Sequence, residues 1–250
     1  MKKIILFFTL ALLSVMLSGC TKYQANIEIN DNLDVTTSLF YGSVNSSVIK
    51  QIAPVEVRDK VDDIILKTLE KQVQKNKDFN TEIKKDGEYI GLVMTRTNPN
   101  DSEVFLPPGI SSKNNYVTKV KQKLYKKVYI VALSVDTKTL KKTTTEFSEK
   151  LKDNPFYSTY VHNAGKPIYQ VVVKIPHKAT ATNATTKDDI NHAYTWDLDI
   201  DKQEPIDMHL EYEKYYFSPK LLLYILLIII AISQTMNSVK IKKKDTNYND

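Results

Sequence analysis

A chain of 250 residues, 42% hydrophobic and 26% charged, has the composition of a folded protein with room for one sizeable domain or two small ones. Its formal charge of +6 sits in two places, Lys2 and Lys3 at the start and Lys240, Lys242, Lys243 and Lys244 near the end, so the body is near neutral. Arginine, the residue that phosphate and base readout favour, occurs only as Arg58 and Arg96, which excludes a nucleic-acid partner.

Lys2 and Lys3 form a positive n-region and residues 4–16 an apolar h-region, and small residues then lead into Cys20. Leu17-Ser18-Gly19-Cys20 matches the lipobox of bacterial lipoproteins, in which the cysteine sulfur is acylated by a fatty acid such as palmitate and the chain is cut before it. Residues 1–19 are therefore expected to be a lipoprotein signal peptide, with Cys20 lipidated. It is the sole cysteine, so no intrachain disulfide can form and the domain at 20–214 must be held by its core.

Tyr23, Ala25, Ile27 and Ile29 alternate with polar neighbours, as in a half-buried strand, and Val35, Thr37, Leu39 and Tyr41 resume the pattern after a turn at Asn30-Asp31-Asn32. From Pro54 onward, Val57, Val61, Ile64, Ile65, Leu69 and Val73 make one apolar stripe at helical spacing, predicting a long amphipathic helix. Asp86-Gly87 marks a hairpin turn. Residues 98–115 read as a long polar loop enclosing Val104-Phe105-Leu106, and residues 128–135 as a central strand. Residues 139–151 are ambiguous between a polar run and a short helix, and Asn154-Pro155 punctuates them.

The last third alternates strongly. Tyr169, Val171, Val173 and Ile175 share one strand face up to Pro176, and a threonine- and asparagine-rich loop follows. Tyr194, Trp196, Leu198 and Ile200 then alternate with Thr195, Asp197 and Asp199. Ile206, Met208, Leu210 and Tyr212 alternate with Asp207, His209 and Glu211. These two read as antiparallel strands with one apolar and one acidic face. Residues 221–232 are apolar throughout except Tyr224, and uncharged flanks extend them to about twenty residues. Tyr215, Tyr216 and Phe217 stand where an interfacial aromatic belt belongs, and Lys220 can snorkel. The expectation is a transmembrane helix at 215–238 followed by a basic cytoplasmic tail at 239–250, the lysines lying inside.

Catalytic and metal patterns are missing from the sequence. Asp197, Asp199 and Asp201 open like a calcium loop, but Lys202 and Met208 stand where the glycine and glutamate belong, and a solvated strand face fits better. His162, His177, His192 and His209 lack metal-ligand spacing. No HExxH, GxSxG, P-loop or GxGxxG pattern occurs. The chain is accordingly expected not to be an enzyme and to need no cofactor.

The order of parts carries one resemblance. A lipobox cysteine is followed at once by a strand hairpin (CTKYQANIEINDNLDVTTSLFYG). Later come a strand ending in proline with its threonine/asparagine loop (VVVKIPHKATATNATT), a tyrosine-x-tryptophan strand (YTWDLDI), a last β segment and an apolar helix. This resembles the LppM-type lipoproteins of Gram-positive and mycobacterial envelopes. The resemblance implies an α+β, partly barrel-like outer module with an apolar cavity, and binding of an envelope lipid or glycolipid. No binding residue is carried over. The fold expected is one α+β domain, mainly antiparallel sheet with one long helix, on the extracytoplasmic face of the cell membrane. Two functions follow: a lipid-binding module, or an interaction scaffold whose sheet edge or 98–115 loop docks a protein of the envelope.

Overall fold

The computed structural model describes residues 22–73, 80–98, 106, 109–112, 118–123, 125–142, 155–164, 167–202, 204–216 and 219–246. The expected signal peptide, Cys20, most of the 98–115 loop and residues 247–250 of the expected tail lie outside the described residues.

Two open sheets carry the architecture. Sheet A runs β10-β11-β8-β1-β2-β4-β3. Its strands are β1 (Lys22–Ile29), β2 (Val35–Asn45), β3 (Asn80–Asp86), β4 (Tyr89–Asn98), β8 (Ile168–Lys174), β10 (Thr186–Asp188) and β11 (Ala193–Asp197). Sheet B runs β5-β7-β12-β9, with β6 also on β7. Its strands are β5 (Ile110–Ser112), β6 (Thr118–Gln122), β7 (Lys126–Val135), β9 (Ala179–Thr182) and β12 (Ile206–Tyr215). The pairings described are antiparallel except β1 with β8. The expected mixed class, mostly sheet with few helices, is the one observed. The partly barrel-like form is not: β9 and β10 are edge strands of different sheets, and the three residues between them cross the gap without a ladder.

The core follows from the period of two. Tyr23, Ala25 and Ile27 stand beside Tyr169, Val171 and Val173 in parallel register, and Trp196 and Tyr194 of β11 extend that face. Across from them lie Tyr129, Val131 and Leu133 of β7 and Met208, Leu210 and Tyr212 of β12, buried in the same cluster. Tyr129 and Tyr212 stack with centroids 4.7 Å apart and planes 5° from parallel.

A β-bulge extends this face under a second layer. Leu39 and Tyr41 pair with Met94 and Leu92, but Val44 pairs with Ile90, so β2 holds one extra residue between Tyr41 and Val44. A slip of one residue would turn the strand inside out. Here it shifts the inward positions from odd to even numbers and keeps Val44 on the apolar side. Beyond the bulge that side is covered by helices rather than by sheet B. Val44, Ile90 and Leu92 pack against α1 (Ser46–Ile52), α2 (Val61–Val73) and α3 (Pro155–Ala164). Asn45 links the layers: its side chain caps α1 by accepting from the Val48 N–H at 3.1 Å, and its own N–H donates to the Tyr160 hydroxyl at 3.0 Å.

Four expectations are corrected. The long helix from Pro54 is instead a 3-10 helix, Val55–Lys60, running into α2, although Val57, Val61, Ile65 and Leu69 still bury one stripe. Pro155 does more than punctuate: it opens α3, at the position where a missing N–H costs nothing. The alternation at 194–200 stops being strand at Asp197, and β11 and β12 are not partners but lie in opposite sheets. Leu198 donates its N–H to Tyr169 O at 2.8 Å, and Thr137 Oγ1 donates to Lys202 O at 2.8 Å, which holds the crossing between sheets. Finally, the helix expected at 215–238 begins at Pro219 and continues as α4 to Thr246, so it starts four residues later than expected and takes in residues 239–246 of the expected basic tail. Among the described residues no helix is long and apolar enough to cross a membrane. The unbroken apolar run at 221–232 covers about 18 Å, against about 30 Å of hydrocarbon core, and polar Ser233, Gln234 and Thr235 follow it.

Candidate membrane-facing site

The two ends of the sandwich differ in what they leave exposed. β1 begins at Lys22, beside β8, where the Tyr23 and Tyr169 rings lie 6.1 Å apart. β12 ends at Tyr215, and the preceding Lys214 Nζ lies 2.6 Å from Asp31 Oδ1 in the β1–β2 turn. The chain therefore meets the domain at one end of β1 and leaves it at the other, about 23 Å away along the strand.

At the Lys22 end an open cleft of about 420 Å³ is lined by Tyr169, Asp197, Leu198, Asp199, Ile200 and neighbours. The three aspartates do not share a strand face, because only Asp197 is in β11. Asp197 accepts from Gln170 Nε2 at 2.8 Å, and Asp201 pairs with Lys141 at 3.0 Å. Asp199 holds its own turn through the Asp201 N–H at 3.1 Å. Among the described residues no group of three or more metal-ligating side chains converges. The histidines are dispersed: His162 in α3, His192 in a turn at φ +52°, His177 3.2 Å from Asp31, and His209 3.2 Å from Glu211.

This end is closed by Asn183, which no sequence pattern singled out. Its Oδ1 accepts from Trp196 Nε1 at 2.9 Å in sheet A and from the His209 N–H at 2.8 Å in sheet B. Its Nδ2 donates to Asp207 O at 2.8 Å, so one amide joins the two sheets where no ladder can. Gly109 is a second closure. Its φ is +83°, and an added Cβ would sit 2.9 Å from Leu140 Cγ. The threonine-rich loop is fixed in turn by Tyr194, whose hydroxyl accepts from the Ala179 N–H at 2.8 Å and donates to Asp189 at 3.1 Å. Burial pushes the Tyr194 phenol up, and the Lys178 bond holds Asp189 below the usual carboxylate range.

At the Tyr215 end the aromatics are open. Tyr215 and Tyr125, from the turn between β6 and β7, stack with centroids 6.1 Å apart and remain 67% and 46% exposed. Lys126 Nζ lies 5.7 Å and 5.8 Å from their ring centres and 2.7 Å from Glu213 Oε1. The Tyr215 hydroxyl donates to Glu213 Oε2 at 3.0 Å. The hydrogen bond to Lys126 holds Glu213 low, and the same bond raises Lys126. Tyr216 donates its N–H to Tyr125 O at 3.1 Å and its hydroxyl to Lys123 O at 2.6 Å. Of the aromatic belt expected at 215–217, Phe217 lies outside the described residues, and Tyr215 and Tyr216 are joined by a third tyrosine, from a turn some ninety residues earlier, that periodicity could not connect to them. α4 follows at Pro219, its Leu222 to Ile230 side chains exposed all round.

No protein-family model matches the sequence, and no curated protein matches it. Among solved structures the chain is similar to the NMR structure of the folded domain of Mycobacterium tuberculosis LppM, at 11% identity over 81% of this chain and 94% of that one. The TM-score is 0.36, a distant structural relation.

Proposed function

We propose that the chain is a bacterial envelope lipoprotein. Its folded domain is held at the outer face of the cell membrane by acylated Cys20 and by the apolar run of α4, and it acts there as a non-enzymatic lipid-binding module. The observation that carries the reading is the shortness of both connections. One residue separates Cys20 from β1, and three separate β12 from α4, reaches of at most about 7 Å and about 14 Å. A domain so tied cannot leave the surface. With its attachments at opposite ends of β1, its strands lie along the membrane rather than upright on it. The exposed leucines and isoleucines of α4 support the second attachment, since such a surface is stable in lipid and not in water.

Alkaline extraction of membranes tests the tethering. The full chain should stay with the pellet, as should Cys20→Ser or removal of residues 219–250 alone. Exchange of residues 1–20 for a cleavable signal that leaves no cysteine, together with removal of residues 219–250, should release it, and such a chain that stays pelleted overturns the reading. Native mass spectrometry of the full chain tests lipid binding. A phospholipid mass above that of the acylated chain is expected, and a clean mass after phospholipid is offered contradicts it.

A further inference from the structure

We propose that the turn between β6 and β7, together with the end of β12, is a second membrane contact: a patch of tyrosines and lysines that seats on anionic phospholipid headgroups. The proposal rests on α4 lying in the membrane, and it adds a part of the domain that sequence order places far from that helix. Tyr125 and Tyr215 present stacked, exposed rings, and Tyr216 binds the backbone of the turn at both Lys123 and Tyr125. The turn is therefore fixed to the root of α4, with Pro219 only three residues beyond Tyr216. Tyrosine rings with one wet end suit the headgroup layer. Charge selects the lipid. Lys126 is neutralised by Glu213, but Lys119, Lys121 and Lys123 are exposed along β6 and its turn, with no acidic residue between 118 and 126. A basic stretch beside a membrane anchor attracts anionic lipid at about fivefold in partitioning per lysine. The cleft end offers the opposite sign at Asp197, Asp199 and Asp201 and has no such attraction.

The test places full-length chains carrying Tyr125→Trp in nanodiscs of phosphatidylcholine, with or without about a third phosphatidylglycerol. Brominated acyl chains quench tryptophan on contact. Trp196, buried in the core between the sheets, is the internal reference. Co-elution with the nanodisc reports the tethering through Cys20 and α4, so its failure would count against the tethering and not be confused with failure of the patch. In chains that co-elute, the tryptophan at 125 should be quenched well beyond Trp196 when phosphatidylglycerol is present. Lys121→Gln with Lys123→Gln should remove the phosphatidylglycerol dependence. Quenching no greater than that of Trp196 overturns the contact, and equal quenching in both lipids overturns the anionic preference.

Discussion

The Lys22 end and the Tyr215 end of the sandwich are built from the same strands and solve opposite problems. At the first, backbone irregularities are closed by internal contacts: the Asn183 amide bonded to both sheets, Gly109 close against Leu140, and Thr137 on the 202–204 carbonyls. At the second, Tyr125, Tyr215 and a row of lysines stay exposed, and the bonds of half-buried Tyr216 pin one turn to the root of a helix. Buried polar groups that would be costly unpaired mark a structural end, whereas exposed aromatic surface marks a contact.

The comparison breaks most plainly at Trp196. Trp196→Ala should cost about 3–5 kcal/mol, because it opens a cavity in the shared core and leaves Asn183 short of a donor. Urea unfolding of the detergent-solubilised chain reads this as a large drop in midpoint. Asn183→Ala should cost about 1 kcal/mol, since it removes the bond of the half-buried Trp196 N–H across the sheets while the exposed His209 N–H turns to water. At the other end Tyr125→Ala should move the same midpoint by less than about 0.5 kcal/mol while weakening membrane contact, as an exposed residue should. Comparable stability losses at the two ends would erase the distinction.

The smallest effect is a pH dependence. Glu213 is held below its usual range by Lys126, and Asp31 by Lys214 with His177 beside it. A carboxylate depressed on folding contributes stability that is full above its unfolded pKa and lost as pH falls through the folded one. Both contributions should therefore be present at neutral pH and fade in acid, below about pH 4. Glu213→Gln should be slightly less stable than the parent at neutral pH and indistinguishable from it in strong acid. A gap of equal size at both pH values would show that the ion pair is not the cause.

Much of the sheet was legible because alternation is local. β1, β2, β8 and β12 bury the residues that period two selects, and Gly87 takes φ +60° in the hairpin turn that Asp86-Gly87 announces. Partnership was not legible. Trp196 and Leu210 both alternate cleanly, yet nothing in either pattern says that they face one another across a core instead of lying side by side. Tyr41 and Val44 look out of phase until the bulge is known, and Pro155 reads equally as a stop or as a helix start. At the Tyr215 end Tyr215 and Tyr216 stood out beside an apolar run, whereas Tyr125 lies in a lysine-rich stretch and gains its meaning from a contact 90 residues away.

Metabolic labelling with an alkynyl fatty acid, followed by click detection on the intact protein, tests the tether most directly. The parent chain should carry label and begin at Cys20, and Cys20→Ser should carry none and keep residues 1–19. Equal labelling of both chains, or a parent that matures without label, would contradict the account.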